Sequence, residues 1–387
     1  MRLTAARLPE WTTLPPPLQF LIAAACSAQP VDMSRSDWDE LPAAALRHGL
    51  GGLLQDSVAR PNASAGVREG AALAARESAM AGLRGIAEVI EISRVLRDAG
   101  LASVCLKGPT LSQWLYGTAA FRRFSDLDIM VAPRDLVAVH EALAPRGYRL
   151  PDGMTVKTAG AIYRGLGAWP LKCAGRYPLD LHFRLGHLSF GSPVKPEEVI
   201  AESRDLDGVP AVRIPSATHA AMMLLVHASK HLWCTLEMVL AIARVMERND
   251  VDWRSVQALA RRSGSWNGCA AGLALASRLF GAEVPEEIDN LGSRRARDDL
   301  LRAARAALLR PAGVFADRWE ERRSHRAALD GWSSRLRYDV HRLVSPTPLE
   351  RACCDLPESL TFLYRPVRLI RLTARGMGRI ERDPVGG

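Results

Sequence analysis

A chain of 387 residues with 48% hydrophobic and 24% charged side chains has the length and apolar content for packed cores, which excludes a disordered or fibrous protein. The 51 basic and 42 acidic side chains leave a net charge of +9, which favours anionic partners without naming one. Seven cysteines, an odd number without Cys-x-x-Cys spacing, argue against a disulfide scaffold and fit free thiols in a reducing cytoplasm.

In chain order, Met1-Arg-Leu-Thr-Ala-Ala-Arg7 has the charge of a signal peptide's start, but proline and acidic residues follow at once. The apolar run 18–26 is too short to span a membrane, so a cytoplasmic location is expected. Residues 17–60 read as short helices with breaks at Pro15-Pro-Pro17 and Pro61-Asn62. Helical spacing then holds over 67–99, about nine turns, interrupted by Gly82 and Gly85 and stopped at Gly100. Leu101-Ala-Ser-Val-Cys-Leu-Lys107 predicts a buried strand broken by Gly108-Pro109, and 112–116 a short helix.

The most informative segment is Phe124-Ser-Asp-Leu-Asp-Ile-Met-Val131. Strand side chains alternate, so Asp126 and Asp128 project from one face while Leu127, Ile129 and Val131 enter a core. Two such carboxylates repel, and burial makes ionisation costlier; a divalent cation removes the conflict, and magnesium is typically held by one or two carboxylates plus substrate phosphates. Asp-x-Asp alone also occurs in surface loops. Here a second acidic strand follows, Tyr177-Pro-Leu-Asp-Leu-His-Phe183, with Asp180 and His182 on one face and Leu179, Leu181 and Phe183 on the other. Residues 101–214, ending in a short strand at 211–214, thus form a small α/β unit.

Helices are predicted beyond it at 218–233, 235–248, 253–263 and 267–280, with connections short enough for a bundle of antiparallel neighbours. One of them carries His227-Ala-Ser-Lys-His231, with both histidines on one face. A zinc site there lacks an evident third ligand and catalytic glutamate; a buried pair of packed histidines is the plain alternative. Past Arg310 the signals weaken, arginine is frequent between 294 and 382, and 383–387 reads as a frayed tail. Arg122 and Arg123 precede the acidic strand, where they either neutralise phosphate or pair with the aspartates. Ser125 reads mainly as a local backbone partner, and Trp114 and Tyr116 as helix-packing aromatics.

The stretches Leu106-Lys-Gly-Pro109, Ser125-Asp-Leu-Asp-Ile-Met-Val131 and Leu179-Asp-Leu-His-Phe183, in that order, resemble the DNA polymerase β-type nucleotidyltransferase superfamily, and within it the bacterial uncharacterised nucleotidyltransferase family. The resemblance covers about residues 85–265 and is more specific for fold than for substrate. It implies an α+β fold: N-terminal helices over 1–100, a polymerase β-like core over 101–214, a helical domain over 215–310 and a basic extension over 311–387. It further implies that Asp126, Asp128 and Asp180 hold Mg2+ and that Asp180 helps deprotonate an attacking hydroxyl. The nucleotide would lie against Lys107, Gly108, Ser125, Arg123, His227, Lys230 and His231. Pro109 departs from the usual Gly-Ser or Gly-Gly turn and removes an N–H, so the phosphate grip differs or Lys107 compensates. If Ala241 occupies the position where the family often has an acid, one polar contact is lost.

The resulting expectation is an Mg-dependent enzyme that moves NMP from an NTP, ATP by default, to a hydroxyl or phosphate of a small molecule, peptide or protein, releasing pyrophosphate. The alternatives are a non-catalytic regulatory nucleotide-binding module and an RNA-end modifier. Neither the acceptor nor the oligomeric state is readable, no membrane span is expected, and nucleic acid is not favoured.

Overall fold

The structure, a computed structural model, describes residues 13–26, 31–58, 63–185, 190, 194–311, 314 and 317–376; the tail expected at 383–387 lies outside them. The chain opens with α1 (Pro16–Ala25), α2 (Arg35–Arg47) and α3 (Gly51–Ser57). Ser34 and Asp37 start α2 through a reciprocal capping box. The 34-residue α4 (Ala65–Asp98) is capped by Ser64 and runs through both glycines. Those glycines mark a close crossing instead of a break. A Cβ on Gly82 would lie 2.3 Å from the Ala119 carbonyl oxygen, and one on Gly85 2.3 Å from the Phe124 ring. Each costs about 1 kcal/mol of helix propensity and admits the loop that leads to Asp126.

The sheet follows: β1 (Ser103–Cys105), α5 (Pro109–Tyr116), β2 (Leu127–Val131), α6 (Leu136–Leu143), α7 (Val156–Tyr163), β3 (Ala168–Leu171) and β4 (Leu179–His182). Strand order is β1-β2-β4-β3; β2 and β4 are parallel and the outer pairs antiparallel. Strand β3 has no counterpart in the sequence reading, because Ala-Trp-Pro-Leu lacks alternation and carries Pro170. At the sheet edge that proline forfeits no needed hydrogen bond. Leu127, Ile129, Val131, Leu179 and Leu181 share a core with Val89, Ile92 and Leu96 of α4 and with the inner face of α6. Burying each such side chain contributes about 2 kcal/mol, which fixes the register and turns the opposite face toward a cleft.

After α8 (Pro196–Ala201) and the two-residue strands β5 (Arg204–Asp205) and β6 (Arg213–Ile214) come α9 (Ala217–Lys230), α10 (Leu236–Met246), α11 (Trp253–Ser263), α12 (Trp266–Phe280) and α13 (Arg294–Leu309). They share a core with α1 to α3 and the first half of α4, so α4 belongs to both cores.

The weak sequence signals beyond 310 fold into α14 (Arg318–Ala328), α15 (Gly331–Val344), α16 (Pro348–Cys353) and α17 (Tyr364–Gly376). Tyr364 is fully buried in the sheet-side core. Helix α15 touches both halves: Ser345 just beyond it meets Gly165, Ser334 meets Gly264, and Arg337 donates to the Ser263 carbonyl. Many of the late arginines are engaged internally, Arg322 and Arg326 with Asp339, and Arg368 and Arg371 with the fully buried Glu350. Among the described residues no helix is long and apolar enough to cross a membrane.

His48 joins the N-terminal helices to α10. Its Nδ1 accepts the Leu236 N–H at 3.2 Å and its carbonyl accepts the Glu237 N–H at 3.1 Å. Burial, reinforced by the Arg47 charge, pushes its pKa from 6.5 down to about 3. Between those values the unfolded chain binds a proton that the folded chain refuses, so this contribution is complete above pH 6.5 and is lost as pH falls toward 3. His48→Asn keeps an acceptor but does not titrate. Urea unfolding at pH 7.5 and 4.5 is expected to show wild type losing about 2 to 3 kcal/mol relative to the variant; a pH-independent difference would show that folding leaves the His48 pKa unshifted.

Candidate active site

Parallel pairing of β2 and β4 sets Asp128 directly beside Asp180, and Met130 beside His182. Asp126 sits one residue before β2, in the loop. Asp126, Asp128, Asp180 and His182 line one cavity of about 520 Å³. Ligand-capable atoms of Asp128, Asp180 and His182 all lie within 4.8 Å of one another. Asp126 stands outside that trio and accepts the Ser125 hydroxyl at 3.2 Å.

Asp128 is 5% exposed. Burial alone would raise its pKa, but Lys107 Nζ at 2.9 Å and His182 Nε2 at 2.7 Å, both on Oδ1, hold its carboxyl well below the usual range. Asp126 and Asp180 shift upward instead, first through burial and then through neighbouring carboxylates. Asp180 has no hydrogen-bond or ion-pair partner among the described residues, so this wall carries more negative charge than the protein compensates.

The opposite wall is the end of α9, which brings His227, Lys230 and His231 to the same cavity. His227 Nδ1 lies 3.5 Å from Lys107 Nζ, and burial followed by the Lys107 charge pushes the imidazole's pKa well down, so it is neutral and accepts from the ammonium. The His231 ring lies 4.6 Å from that of His227, and burial with Lys230 and Lys107 lowers its pKa to about 3. Burial and then Lys107 also lower the Lys230 pKa. Immediately beyond, Leu232 and Trp233 adopt φ of +53° and +49°, a left-handed pair of bulky residues costing about 1 to 2 kcal/mol each. Near-complete burial of both side chains offsets that strain.

Sequence reasoning missed the support for this turn. His325 of α14 contacts the Lys230 carbonyl through Nε2 at 2.8 Å and the Tyr338 hydroxyl through Nδ1 at 2.9 Å, and Phe190 packs edge-on against its ring. A lone histidine in an arginine-rich stretch offered no signal; only the fold brings it to α9.

Other predicted positions are placed as follows. Gly108 adopts φ +70°, ψ −138°, a conformation for glycine, directly before α5. Pro109 is the first residue of that helix, where its missing N–H has no intrahelical partner to lose. Gly108, Ser125 and Arg123 do not line the cavity, and Arg123 pairs with Glu77. Arg122 pairs with buried Glu237, which also accepts from Tyr116. Tyr116 stacks on Phe121 and Trp114 lies beneath Arg204 and Arg248, so both serve packing.

Removing one member of a buried ion pair strands the other at a cost of about 3 to 5 kcal/mol. Lys107→Met is therefore expected to destabilise the protein by about 3 kcal/mol, with His182 left on the carboxylate, and Asp128→Asn to restore part of that loss in the double variant. Urea unfolding of wild type, both singles and the double gives the coupling; simple additivity would show that the pair contributes nothing of its own.

The arrangement is a cleft with the carboxylates and Lys107 on the sheet wall and Lys230 beside two neutral histidines on the helix wall. It suits a ligand that is itself charge-separated, a divalent cation carried on an anion. No curated protein and no solved structure matches the chain. Residues 34–281, which include every residue of the two cavity walls named above other than the His325 support, match the family described as uncharacterised nucleotidyltransferase. The match spans well over half of the sequence, and the chain belongs to that nucleotidyltransferase family.

Proposed function

We propose that the protein is a magnesium-dependent nucleotidyltransferase with a polymerase β-like core, transferring NMP from an NTP to an acceptor hydroxyl or phosphate. The observation that carries this reading is the in-register pair Asp128 and Asp180, with Lys107 ion-paired to Asp128 and Lys230 on the facing wall of the same cavity. The donor set fits Mg2+: carboxylate oxygens suit the ion, and His182 is already occupied as the hydrogen-bond partner of Asp128. Asp180, half-buried and unpartnered, is the group whose compensation is missing. Asp126, Asp128 and Asp180 would hold the metal, which when bound neutralises phosphate charge and aligns an in-line displacement.

The protein's own residues do the rest. Lys107 and Lys230 take the triphosphate's charge, and the neutral imidazoles of His227 and His231 fill the cavity without competing for it. Asp180, whose carboxyl is more basic than an ordinary aspartate, accepts the acceptor's proton as its oxygen bonds to the α-phosphorus and the bond to the β-phosphate oxygen breaks. Pyrophosphate leaves along the lysines. ATP is the default donor, and the acceptor is a small molecule, peptide or protein. Internal pairing of many C-terminal arginines disfavours the RNA-end alternative.

Asp180→Asn is the cleaner test than a change at Asp128, because it strands no partner. With α-labelled NTPs, Mg2+ and candidate acceptors, wild type is expected to transfer label, and Asp180→Asn to lose at least about a hundredfold without a fall in melting temperature. Transfer that survives both EDTA and Asp180→Asn sinks the mechanism. Metal-dependent nucleotide binding without any transfer supports the regulatory-module reading.

A further inference from the structure

A second cavity of about 750 Å³ lies beside the sheet edge and is lined by four cationic side chains, Arg164, Arg184, Lys195 and Arg262. It is walled off from the active-site cavity. Along β3, Ala168 and Pro170 face the active site while Trp169 faces the second cavity; at β4, Asp180 and His182 face the former while Phe183 faces the latter. The volume falls in the range of small-molecule sites. The four cations come from four places in the chain: Arg164 follows α7, Arg184 follows β4, Lys195 precedes α8, and Arg262 lies on α11.

None of the four forms an ion pair among the described residues, and two of them lie close enough to interact. Arg164 bears electrostatically on the half-buried Arg184, and Arg184 in turn on His341 of α15. Two exposed carboxylates, Glu197 and Glu198, stand at the lining without pairing to any of the cations. Four cations against two carboxylates leave two positive charges, which match a phosphate monoester of about −1.5 to −2 at pH 7. Three of the four are guanidiniums, whose fork fits phosphate oxygens in pairs. Between the cations the lining is apolar, supplied by Leu136, Trp169, Phe183 and Val194.

We propose that this cavity is a second ligand site, separate from the nucleotidyltransferase cleft, that binds a phosphate monoester bearing an apolar body. The phosphate lies among Arg164, Arg184 and Arg262, and the apolar body lies against Leu136 and Phe183. This inference does not rest on the proposed transfer reaction, since it concerns a different cavity and needs no metal.

The test is calorimetric titration of the full chain with phenyl phosphate, and separately with inorganic phosphate, in EDTA. Wild type is expected to bind phenyl phosphate more tightly than phosphate. The double variant Arg164→Ala/Arg262→Ala, at two exposed positions, is expected to weaken phenyl phosphate binding at least tenfold with melting temperature unchanged. Arg262→Glu alone, a charge reversal at the surface, should weaken it in the same direction. Lys230→Ala, which removes a cation of the other cleft, should leave it unchanged. Unaltered binding in the double variant, or loss of binding in Lys230→Ala, overturns the site, and equal affinity for the two probes overturns the apolar half of the proposal.

Discussion

Keeping Asp128 ionised in a nearly dry position is the constraint on which the cleft depends. A carboxylate at 5% exposure would take up a proton unless its charge were met directly. Two elements meet it: Lys107 at the end of the first strand segment and His182 at the end of β4. Both arrive through the sheet. The antiparallel pairing of β1 with β2 brings Lys107 alongside, the parallel pairing of β2 with β4 brings His182, and the same register sets Asp180 next to Asp128. Slipping β4 by one residue would turn Leu179 and Leu181 into the cleft and the acids into the core, so the apolar face of the sheet enforces the chemistry of the other face.

Charge is segregated across the cleft in a way that the protein alone does not resolve. Like charges about 4 Å apart at an effective dielectric near 20 repel by about 4 kcal/mol, and the ligand-capable oxygens of Asp128 and Asp180, within 4.8 Å of each other, put such crowding on one of the two walls. Lys107 bridges them by pairing with Asp128 on one side and approaching His227 on the other. Asp180 and Lys230 stay uncompensated at the two margins. A metal-bound triphosphate, the ligand proposed above, would supply both missing charges at once. The strained turn at Leu232 and Trp233 belongs to the same logic, because it halts α9 with Lys230 and His231 directed into the cavity.

Much of this was legible in the sequence, for a physical reason. Alternation in 124–131 and 177–183 states which side chains share a face, and the structure has Leu127, Ile129, Leu179 and Leu181 in one core with Asp128, Asp180 and His182 opposite. The helices at 67–99 and 218–280 announced themselves by periodicity and caps, with ends differing by a few residues. Local pattern cannot say which surfaces meet. Gly82 and Gly85 read as interruptions until the 118–126 loop was seen crossing them. Edge strand β3 was invisible because its Pro170 is tolerable only at an edge, and being at an edge is a property of the whole sheet. Arg123 was expected near phosphate and instead pairs with Glu77, as surface arginines do when an acid lies within reach.

The C-terminal segment carries the remaining lesson, since it lies beyond the family match yet buttresses the cleft. Helix α15 turns Ser334 and Tyr338 inward and leaves Trp332, Leu336, Val340 and Leu343 exposed. The arrangement holds because what it covers is polar: an arginine-to-carbonyl bond at Ser263, the His325–Tyr338 contact, and through His325 the carbonyl that ends α9. That carbonyl is one of the acceptors a helix terminus leaves without an intrahelical donor, and His325 supplies the partner. The exposed stripe is apolar, so its hydration is a standing cost, and the inward face must return more than that in satisfied buried groups. Lys230 therefore owes its place to a histidine 95 residues later in the chain. A domain cut from residues 34–281 alone would keep every cavity residue of the two walls and lose the bond that fixes the end of the helix on which Lys230, His227 and His231 sit.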